Sequence, residues 1–340
     1  MSGLSFHASQ IEGLLVDKGY PLLLESYAMQ PAFFPSFAEV DVGDYNSLAS
    51  RYPDFPYGYK AGSVLGMGRP IEIEHGQEFP ADTLVGGYAP QLKVRKLARR
   101  ITFTREDWTK KNGLDGISMK LTDTMRGWGE TFAAEAEQIV ADHLQKGTLS
   151  AGSTATFKNA YLDRPATDGL IYDGVAYFAT NHPQDDGSGT TYSNLTVSAA
   201  LASATLQTGL NLMTHTNAKN GRGERILVRP NRLIVPPSLQ FTAATLLTSA
   251  NAPGTANNDA NVNQFTGALQ LVVNPYLTDD TDAWWLSEAG KGLKVIHTGD
   301  PTVEVVEDPR FQTVTVMAYK YIGVGVTNWR FAAAFNKAAS

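Results

Sequence analysis

The chain has 340 residues, of which 43% are hydrophobic and 18% charged, a composition typical of a globular protein rather than of a disordered one. Its formal net charge of −6 argues against sequence-independent binding of nucleic acid, which normally requires a basic excess. Because the chain contains no cysteine, disulfides, zinc–thiolate sites and thiol catalysis are excluded.

The sequence has no recognisable targeting or membrane-spanning segment. Residues 1–10 lack the basic region and following apolar run of a signal peptide. No stretch approaches the roughly 18 uninterrupted apolar residues that a membrane helix requires. We therefore expect a protein that works in an aqueous compartment and does not contact a membrane.

The first sixty residues predict one short helix and then irregular structure. Residues 3–17 place Leu4, Ile11, Leu14 and Leu15 on one side of an amphipathic helix. Residues 18–60 are rich in aromatic side chains but are interrupted by several prolines, which predicts few regular elements. Such an apolar segment must pack against its own core or against a neighbouring chain.

A glycine-rich stretch at 62–90 separates two predicted strands. Residues 71–74 alternate between isoleucine and glutamate, and residues 91–103 carry the second alternating pattern. Together they predict an extended hairpin, and little between the two strands would anchor it to a core of its own.

The strongest signal is a long amphipathic helix at 115–146, which would span about 48 Å. Its predicted apolar face comprises Ile117, Leu121, Met125, Trp128, Phe132, Ala136, Ile139 and either His143 or Leu144. Asn112 or Asp115 is suited to begin the helix and Gly147 to end it. Gly127 and Gly129 lower helix propensity on both sides of Trp128, which predicts close approach of another backbone there.

The remainder of the chain predicts a mixture of short helices and strands. Helices are expected at 198–217 and 238–247, and strands at 175–179, 232–235, 268–273, 283–287, 293–297 and 303–307. A polar loop is expected at 183–194 and another loop at 250–263. The alternating tail from Val314 to Phe335 predicts two antiparallel strands that turn near Gly323 or Gly325.

Histidines and carboxylates form no convincing metal or catalytic pattern. No HxH or HxxxH pair exists, so a zinc site is not expected. His182 is interpreted as a turn residue rather than a base, and His143 as a packing residue of the long helix. The aspartates Asp279, Asp280 and Asp282 lack the spacing of a calcium loop and are interpreted as a solvated turn.

Nucleotide-binding and nucleophile motifs are also absent, since the sequence contains no GxSxG, no GxGxxG at a strand–helix junction and no GxxxxGK[ST]. We therefore predict no catalytic, cofactor-binding or metal-binding residues and no enzymatic activity. The basic run from Lys93 to Arg105 favours a solvated or subunit-contact face over phosphate binding. For Trp284 and Trp285, one ring is expected to point inward, and the other lies either at a subunit contact or in the core.

The order of these elements resembles the major capsid proteins of tailed bacteriophages with the Hong Kong ninety-seven phage fold, and the major head subunit of phage Mu-like prophages in particular. Three runs carry the resemblance: Arg100 to Asp107 (RITFTRED), Ala176 to His182 (AYFATNH) and Arg229 to Ser238 (RPNRLIVPPS). Each run is short, and their joint order along nearly the whole chain is the specific part.

The resemblance implies an α+β fold with a set division of the chain. Residues 1–61 would form an N-terminal arm and 62–103 an extension loop. Residues 104–195 would form a peripheral domain with a spine helix at 115–146, 196–305 an axial domain, and 306–340 the return to the peripheral domain. The function implied is a head subunit that assembles into hexamers and pentamers of an icosahedral shell around double-stranded DNA, contacted non-specifically.

The resemblance also sets expectations about partners and processing. Portal, scaffold and possibly decoration proteins are the expected partners, and assembly in the host cytoplasm would deliver the subunit to the virion. Some members begin with a scaffolding segment, whereas this chain begins directly at the arm, so a separate scaffold or a mature form is expected. Some members cross-link a hairpin lysine to an asparagine, but residues 61–92 contain no lysine, so no cross-link is expected. The alternative function is an encapsulin-like compartment shell with the same fold.

Overall fold

The computed structural model describes residues 8–60, 72, 73, 75, 90–109, 113–150, 157–158, 163–164, 170–184, 188–250, 262–279 and 281–338. The α-helices there are α1 (Ala8–Leu14), α2 (Tyr20–Met29), α3 (Tyr45–Arg51), α4 (Arg105–Thr109), α5 (Gly113–Gln145), α6 (Ser203–Asn211) and α7 (Gln240–Thr248). The predicted strand at 71–74 and most of the glycine-rich stretch lie outside the described residues.

The strands of the described residues fall into two large sheets and two small ribbons. They are β1 (Glu39–Gly43), β2 (Gly58–Lys60), β3 (Gln91–Thr104), β4 (Phe157–Lys158), β5 (Asp163–Arg164), β6 (His182–Pro183), β7 (Thr191–Tyr192), β8 (Leu195–Thr196), β9 (Arg232–Val235), β10 (Gln270–Val273), β11 (Trp284–Ser287), β12 (Leu293–Thr298), β13 (Thr302–Asp308), β14 (Thr313–Val326) and β15 (Ala332–Phe335). This mixture confirms the predicted α+β class.

The long helix confirms the helical periodicity of the sequence. It runs from Gly113 to Gln145, close to the predicted 115–146. The expected face is buried, with Ile117, Leu121 and Met125 each at most 2% exposed. Trp128 is less deeply placed than predicted, because its ring is half-buried at the edge of this face.

The first large sheet has six strands in the order β1-β12-β14-β3-β2, with β13 also paired to β14. Its centre is β14, a single 14-residue strand whose alternate residues are buried. The predicted turn near Gly323 or Gly325 is therefore wrong. A Cβ atom on Gly323 would lie 2.9 Å from a methyl carbon of Val94, so this glycine permits close strand packing and not a turn.

The second large sheet has five strands in the order β10-β9-β11-β15-β8. It includes β15, which comes from the tail of the chain. The strands β12 and β13 follow β11 in the sequence but belong to the six-stranded sheet. The predicted strand at 175–179 is absent from the described residues, where Ala176 forms only an isolated bridge with Leu170.

The long helix contributes to two clusters of buried apolar residues, one at each half of its length. Its first half packs with α1 and α2 against the six-stranded sheet, where Leu121 and Met125 meet Val316. Its second half packs between the sheets, where Ile139 shares a cluster with Trp285. At roughly 1.5–3 kcal/mol for each fully buried large apolar side chain, these contacts are the main source of stability.

The N-terminal segment is more regular than its prolines predicted. A helix from Tyr20 to Met29 occupies part of the stretch 18–60 that was interpreted as irregular, and α3 and β1 follow it. The helix α2 continues directly from α1 through a π-helical turn at Leu15–Gly19, and Pro21 follows that turn. A π-helical turn at the proline lets the helical run continue, which is the physical reason why the expectation of irregular structure was wrong for residues 18–29.

Candidate functional site

Helix α2 lies directly across the long helix at Gly129, and we call α2 the arm helix and residues 20–34 the arm, as names of position only. A Cβ atom on Gly129 would stand 2.5 Å from the carbonyl oxygen of Leu23 and 2.9 Å from the amide nitrogen of Tyr27. The predicted close backbone approach is thus confirmed for Gly129. It is wrong for Gly127, where an added Cβ atom would meet nothing within 4 Å.

Glu137 binds the backbone of the segment that follows α2. Its carboxylate accepts a hydrogen bond from the Phe33 N–H group at 2.7 Å and a second one from the Phe34 N–H group at 3.3 Å. The side chain is buried, and burial raises the pKa of Glu137 to about 7, although these two hydrogen bonds oppose the shift. The arm is therefore held by a carboxyl group that changes charge near neutral pH.

Lys320 provides a second buried polar contact with the arm. The residue is 1% exposed, and its ammonium group donates a hydrogen bond to the hydroxyl of Tyr27 and lies 4.5 Å from the centre of that ring. Burial lowers the pKa of Lys320 to about 8, and the charge of Asp300 opposes this shift. Burial likewise raises the pKa of Tyr27 to about 12. The even-numbered face of β14 thus contributes a cation as well as apolar groups to the arm contact.

Replacing Glu137 by glutamine is expected to stabilise the subunit at pH 8 but not at pH 5. A folded-state pKa near 7, above the ordinary 4.5, means that the native carboxyl favours folding most below pH 4.5. That contribution is lost as the pH rises through 7. The glutamine oxygen still accepts the Phe33 N–H group, and the charge penalty it removes at pH 8 is about 3 kcal/mol.

The measurement for Glu137→Gln is urea unfolding of unassembled subunits from pH 5 to pH 8. The exposed Glu130 on the same helix supplies the control Glu130→Gln, which makes the same chemical change at a solvent-exposed position. A Glu137→Gln difference that stays constant across this pH range would contradict the expectation.

His182 forms the centre of a fully buried polar network, so its interpretation as a turn residue is wrong. Its Nδ1 atom lies 2.7 Å from Oδ2 of Asp173, and its Nε2 atom lies 3.0 Å from Oδ1 of Asn194. The imidazole stacks on Trp329 with 4.3 Å between ring centres. Neither His182 nor Asp173 has a side chain more than 1% exposed.

Asn194 orients this network. Its Oδ1 atom accepts the Ala179 N–H group at 2.9 Å, and its Nδ2 atom donates to the carbonyl oxygens of Tyr177 at 2.9 Å and Ala332 at 3.2 Å. These contacts fix the amide orientation, so Nε2 of His182 donates to Oδ1. The network ties the segment after the long helix to the five-stranded sheet.

A histidine beside an aspartate resembles the base of a hydrolytic site, but this one has no free nitrogen. Both ring nitrogens of His182 are occupied by Asp173 and Asn194, and the ring face is covered by Trp329. A general base must reach a substrate proton within hydrogen-bond distance. The arrangement holds the fold together and offers nothing to a substrate.

Two other candidate residues from the sequence, His143 and Asp279, make hydrogen bonds that hold the fold. The buried His143 has its Nδ1 atom 2.8 Å from the Ile139 carbonyl oxygen, as expected for a packing residue of the helix. Asp279 does lie in an exposed turn, but the turn is anchored because its backbone N–H group donates to Gln145 at 2.6 Å. Asp280 lies outside the described residues, as do Asp185 and Asp186.

Trp284 and Trp285 are both fully buried, so the subunit-contact alternative is wrong. Their side chains lie on opposite faces of the five-stranded sheet, and each face is covered. Trp284 stacks on Phe335 and donates to the Ala199 carbonyl oxygen at 2.7 Å, in the cluster beneath α6 and α7. Trp285 faces the long helix. The predicted alternation of the two rings is confirmed. The sequence did not show that a second layer covers the outer face of the sheet.

The basic run of β3 is divided between the two faces of the six-stranded sheet, because side chains alternate along a strand. Lys96 and Arg100 are exposed on the face opposite the long helix. Arg95, on the other face, is 8% exposed. The run is thus not one basic face, as the sequence interpretation had allowed.

Within the described ranges, no group of three or more histidine, aspartate or glutamate side chains is placed to hold a metal ion. No helix in that part of the chain is both long enough and apolar enough to cross a membrane.

Comparison with protein families places residues 88–335 under one family model, described as phage capsid protein. No curated protein matches the sequence. Among solved structures, the capsid of cyanophage P-SCSP1u has a TM-score of 0.48 at 11% identity and covers 92% of this chain and 89% of its own. The capsid of an empty GTA particle has a TM-score of 0.46 at 11% identity, with coverages of 91% and 90%.

The procapsid of bacteriophage JBD30 has a TM-score of 0.42 at 13% identity and covers 97% of this chain and 75% of its own. Because these TM-scores lie below 0.5, the family assignment rests on the family model, which spans well over half of the chain. The chain belongs to the phage capsid protein family and is a structural subunit of a virion.

Proposed function

We propose that this subunit assembles with copies of itself into hexamers and pentamers of an icosahedral shell that encloses double-stranded DNA, and that it has no enzymatic activity. The observation that carries the proposal is the family match over residues 88–335. The buried His182 network supports the absence of catalysis, since its ring nitrogens are both occupied. Portal, scaffold and decoration proteins remain proposed partners, and assembly is proposed to take place in the host cytoplasm.

We also propose a division of the chain. We assign 1–61 to an arm, 62–103 to an extension loop, and 104–195 to a peripheral unit built around the long helix. The tail from 306 to 340 contributes β14 to the six-stranded sheet of that unit. We place the axial unit within 196–305, and we assign β12 and β13 to the peripheral unit because they pair with β14.

Electron microscopy of the purified protein is the direct test. We expect closed particles of uniform size, and nuclease-treated particles from a phage lysate should retain protected double-stranded DNA. Particles that contain a protected enzyme but no DNA would favour the encapsulin-like alternative. A protein that stays monomeric under all assembly conditions would contradict the proposal.

Shell subunits are expected to remain covalently separate. Between Lys60 and Lys93 the chain has no lysine, so the tip of the proposed extension loop cannot supply an amine for an isopeptide bond. Boiled particles should run at the monomer mass of 36.8 kDa on a denaturing gel. A ladder of multimers that survives boiling and reductant would contradict this prediction.

A further inference from the structure

A cavity of about 580 Å³ opens on the six-stranded sheet, next to the start of α3. Its wall contains three tyrosines, Tyr45, Tyr319 and Tyr321, and two carboxylates, Asp44 and Asp300. Tyr319 and Tyr321 lie on the face of β14 opposite the buried residues that meet the long helix. We call this cavity the tyrosine socket.

The tyrosine socket has the chemistry of a site for a cationic side chain. A hydrogen bond with Ser47 lowers the pKa of Asp44, which keeps that carboxylate charged. The Nζ atom of Lys96 already lies 4.2 Å from the centre of the Tyr319 ring, so this aromatic wall accepts a cation at its rim. Aromatic faces together with carboxylates suit a guanidinium group, which stacks on rings and pairs with acids.

A complementary projection lies elsewhere on the same sheet, at the turn between β13 and β14. Phe311 is 74% exposed, and Arg310 beside it is also exposed. Among the described residues, the Arg310 side chain has no ion-pair or hydrogen-bond partner. We call Arg310 and Phe311 the turn pair.

The turn that carries this pair is held in place although its side chains are uncovered. The Arg310 N–H group donates to Oδ1 of Asp308 at 3.0 Å, and the Phe311 N–H group donates to the Asp308 carbonyl oxygen at 3.3 Å. The Gln312 carbonyl oxygen accepts the Arg105 N–H group at 3.1 Å. The hydrogen-bonded turn thus presents an aromatic ring and an adjacent guanidinium group to solvent from a defined backbone.

We propose that the turn pair of one subunit inserts into the tyrosine socket of a second copy of this chain. Arg310 would meet Asp44, and Phe311 would pack on the tyrosine rings. The two surfaces cannot meet within one subunit, because Phe311 lies in the turn before Thr313, whereas Tyr319 and Tyr321 lie about 20 Å and 26 Å along the extended strand that begins there. A contact between different surfaces of identical chains propagates from copy to copy and forms a closed ring when the rotation between copies closes. The inference rests on the proposed shell function.

Cysteine cross-linking tests the contact without background, since the natural chain has no cysteine. We would combine Phe311→Cys with Asn46→Cys, because Asn46 also lines the socket. Oxidised particles of the double variant are expected to give disulfide-linked multimers on a non-reducing gel, and each single variant should stay monomeric. Cross-linking by Phe311→Cys alone would overturn the proposal, because the turns would then meet one another.

A charge exchange provides the second measurement. Arg310→Asp and Asp44→Arg should each lower the assembled fraction about tenfold, and the two changes together should restore it. Restoration also excludes misfolding as the cause of either loss. Well-formed particles that neither cross-link nor respond to the charge changes would overturn the contact while leaving the shell function intact. Failure of the unmodified protein to form particles would instead overturn the shell function.

Discussion

Replacing Gly129 by alanine is expected to destabilise the subunit by about 3 kcal/mol and to displace the arm helix. The new methyl group would lie 2.5 Å from the Leu23 carbonyl oxygen and 2.9 Å from the Tyr27 amide nitrogen. Both are backbone atoms of one helix, so the clash cannot be relieved by a change of rotamer. The arm must move away from the long helix and lose apolar contacts there.

Gly127→Ala is the matched control for this prediction. It makes the same chemical change two residues away on the same helix, but nothing lies within 4 Å of the added atom. The control should stabilise the subunit by about 1 kcal/mol, because alanine favours the helix over glycine. Urea unfolding and the rate of proteolysis within residues 8–29 would measure both effects. Equal effects of the two substitutions would show that the arm does not approach Gly129 as described.

Replacing Asn194 by leucine is expected to cost about 4 kcal/mol or more. The change leaves the Ala179 N–H group and Nε2 of His182 without their acceptor, and the carbonyl oxygens of Tyr177 and Ala332 without a donor. Each buried polar group left unsatisfied costs about 1–3 kcal/mol. We expect a lower soluble yield and a melting temperature reduced by about 5 °C or more.

Asn211→Leu is the control for Asn194→Leu, because Asn211 is exposed on α6. This control should leave the melting temperature almost unchanged, since a surface substitution typically changes stability by less than about 0.5 kcal/mol. If Asn194→Leu had the same melting temperature as the native protein, the hydrogen bonds of Asn194 would not be important for the stability of the segment after the long helix.

Local patterns predicted the elements whose burial repeats with the period of the backbone. The helix from Gly113 to Gln145 and the strand from Gln91 to Thr104 were predicted within two residues, since each is buried along one regular face. The family resemblance also came from the order of such elements. Gly129 could be singled out because a glycine within a helix is costly unless something requires it.

Other features depend on partners that are distant in the chain. His182 looked like a turn residue because the sequence does not show that Asp173, Asn194 and Trp329 surround it. Gly323 looked like a turn because the sequence does not show that Val94 lies against it in the neighbouring strand. The same glycine preference arises from a positive φ angle and from a close approach, and a local pattern cannot separate these two causes.

By itself the sequence determined the long helix and its buried face, because these follow from local periodicity, whereas the α+β class was implied by the resemblance that the order of the elements carries. It also determined that no cysteine chemistry takes place in the chain. Only the tertiary structure decided which glycine meets the arm, that both Trp284 and Trp285 are buried, and that β15 joins the second sheet. These outcomes depend on which layers cover each face, and that is set by contacts between residues far apart in the chain.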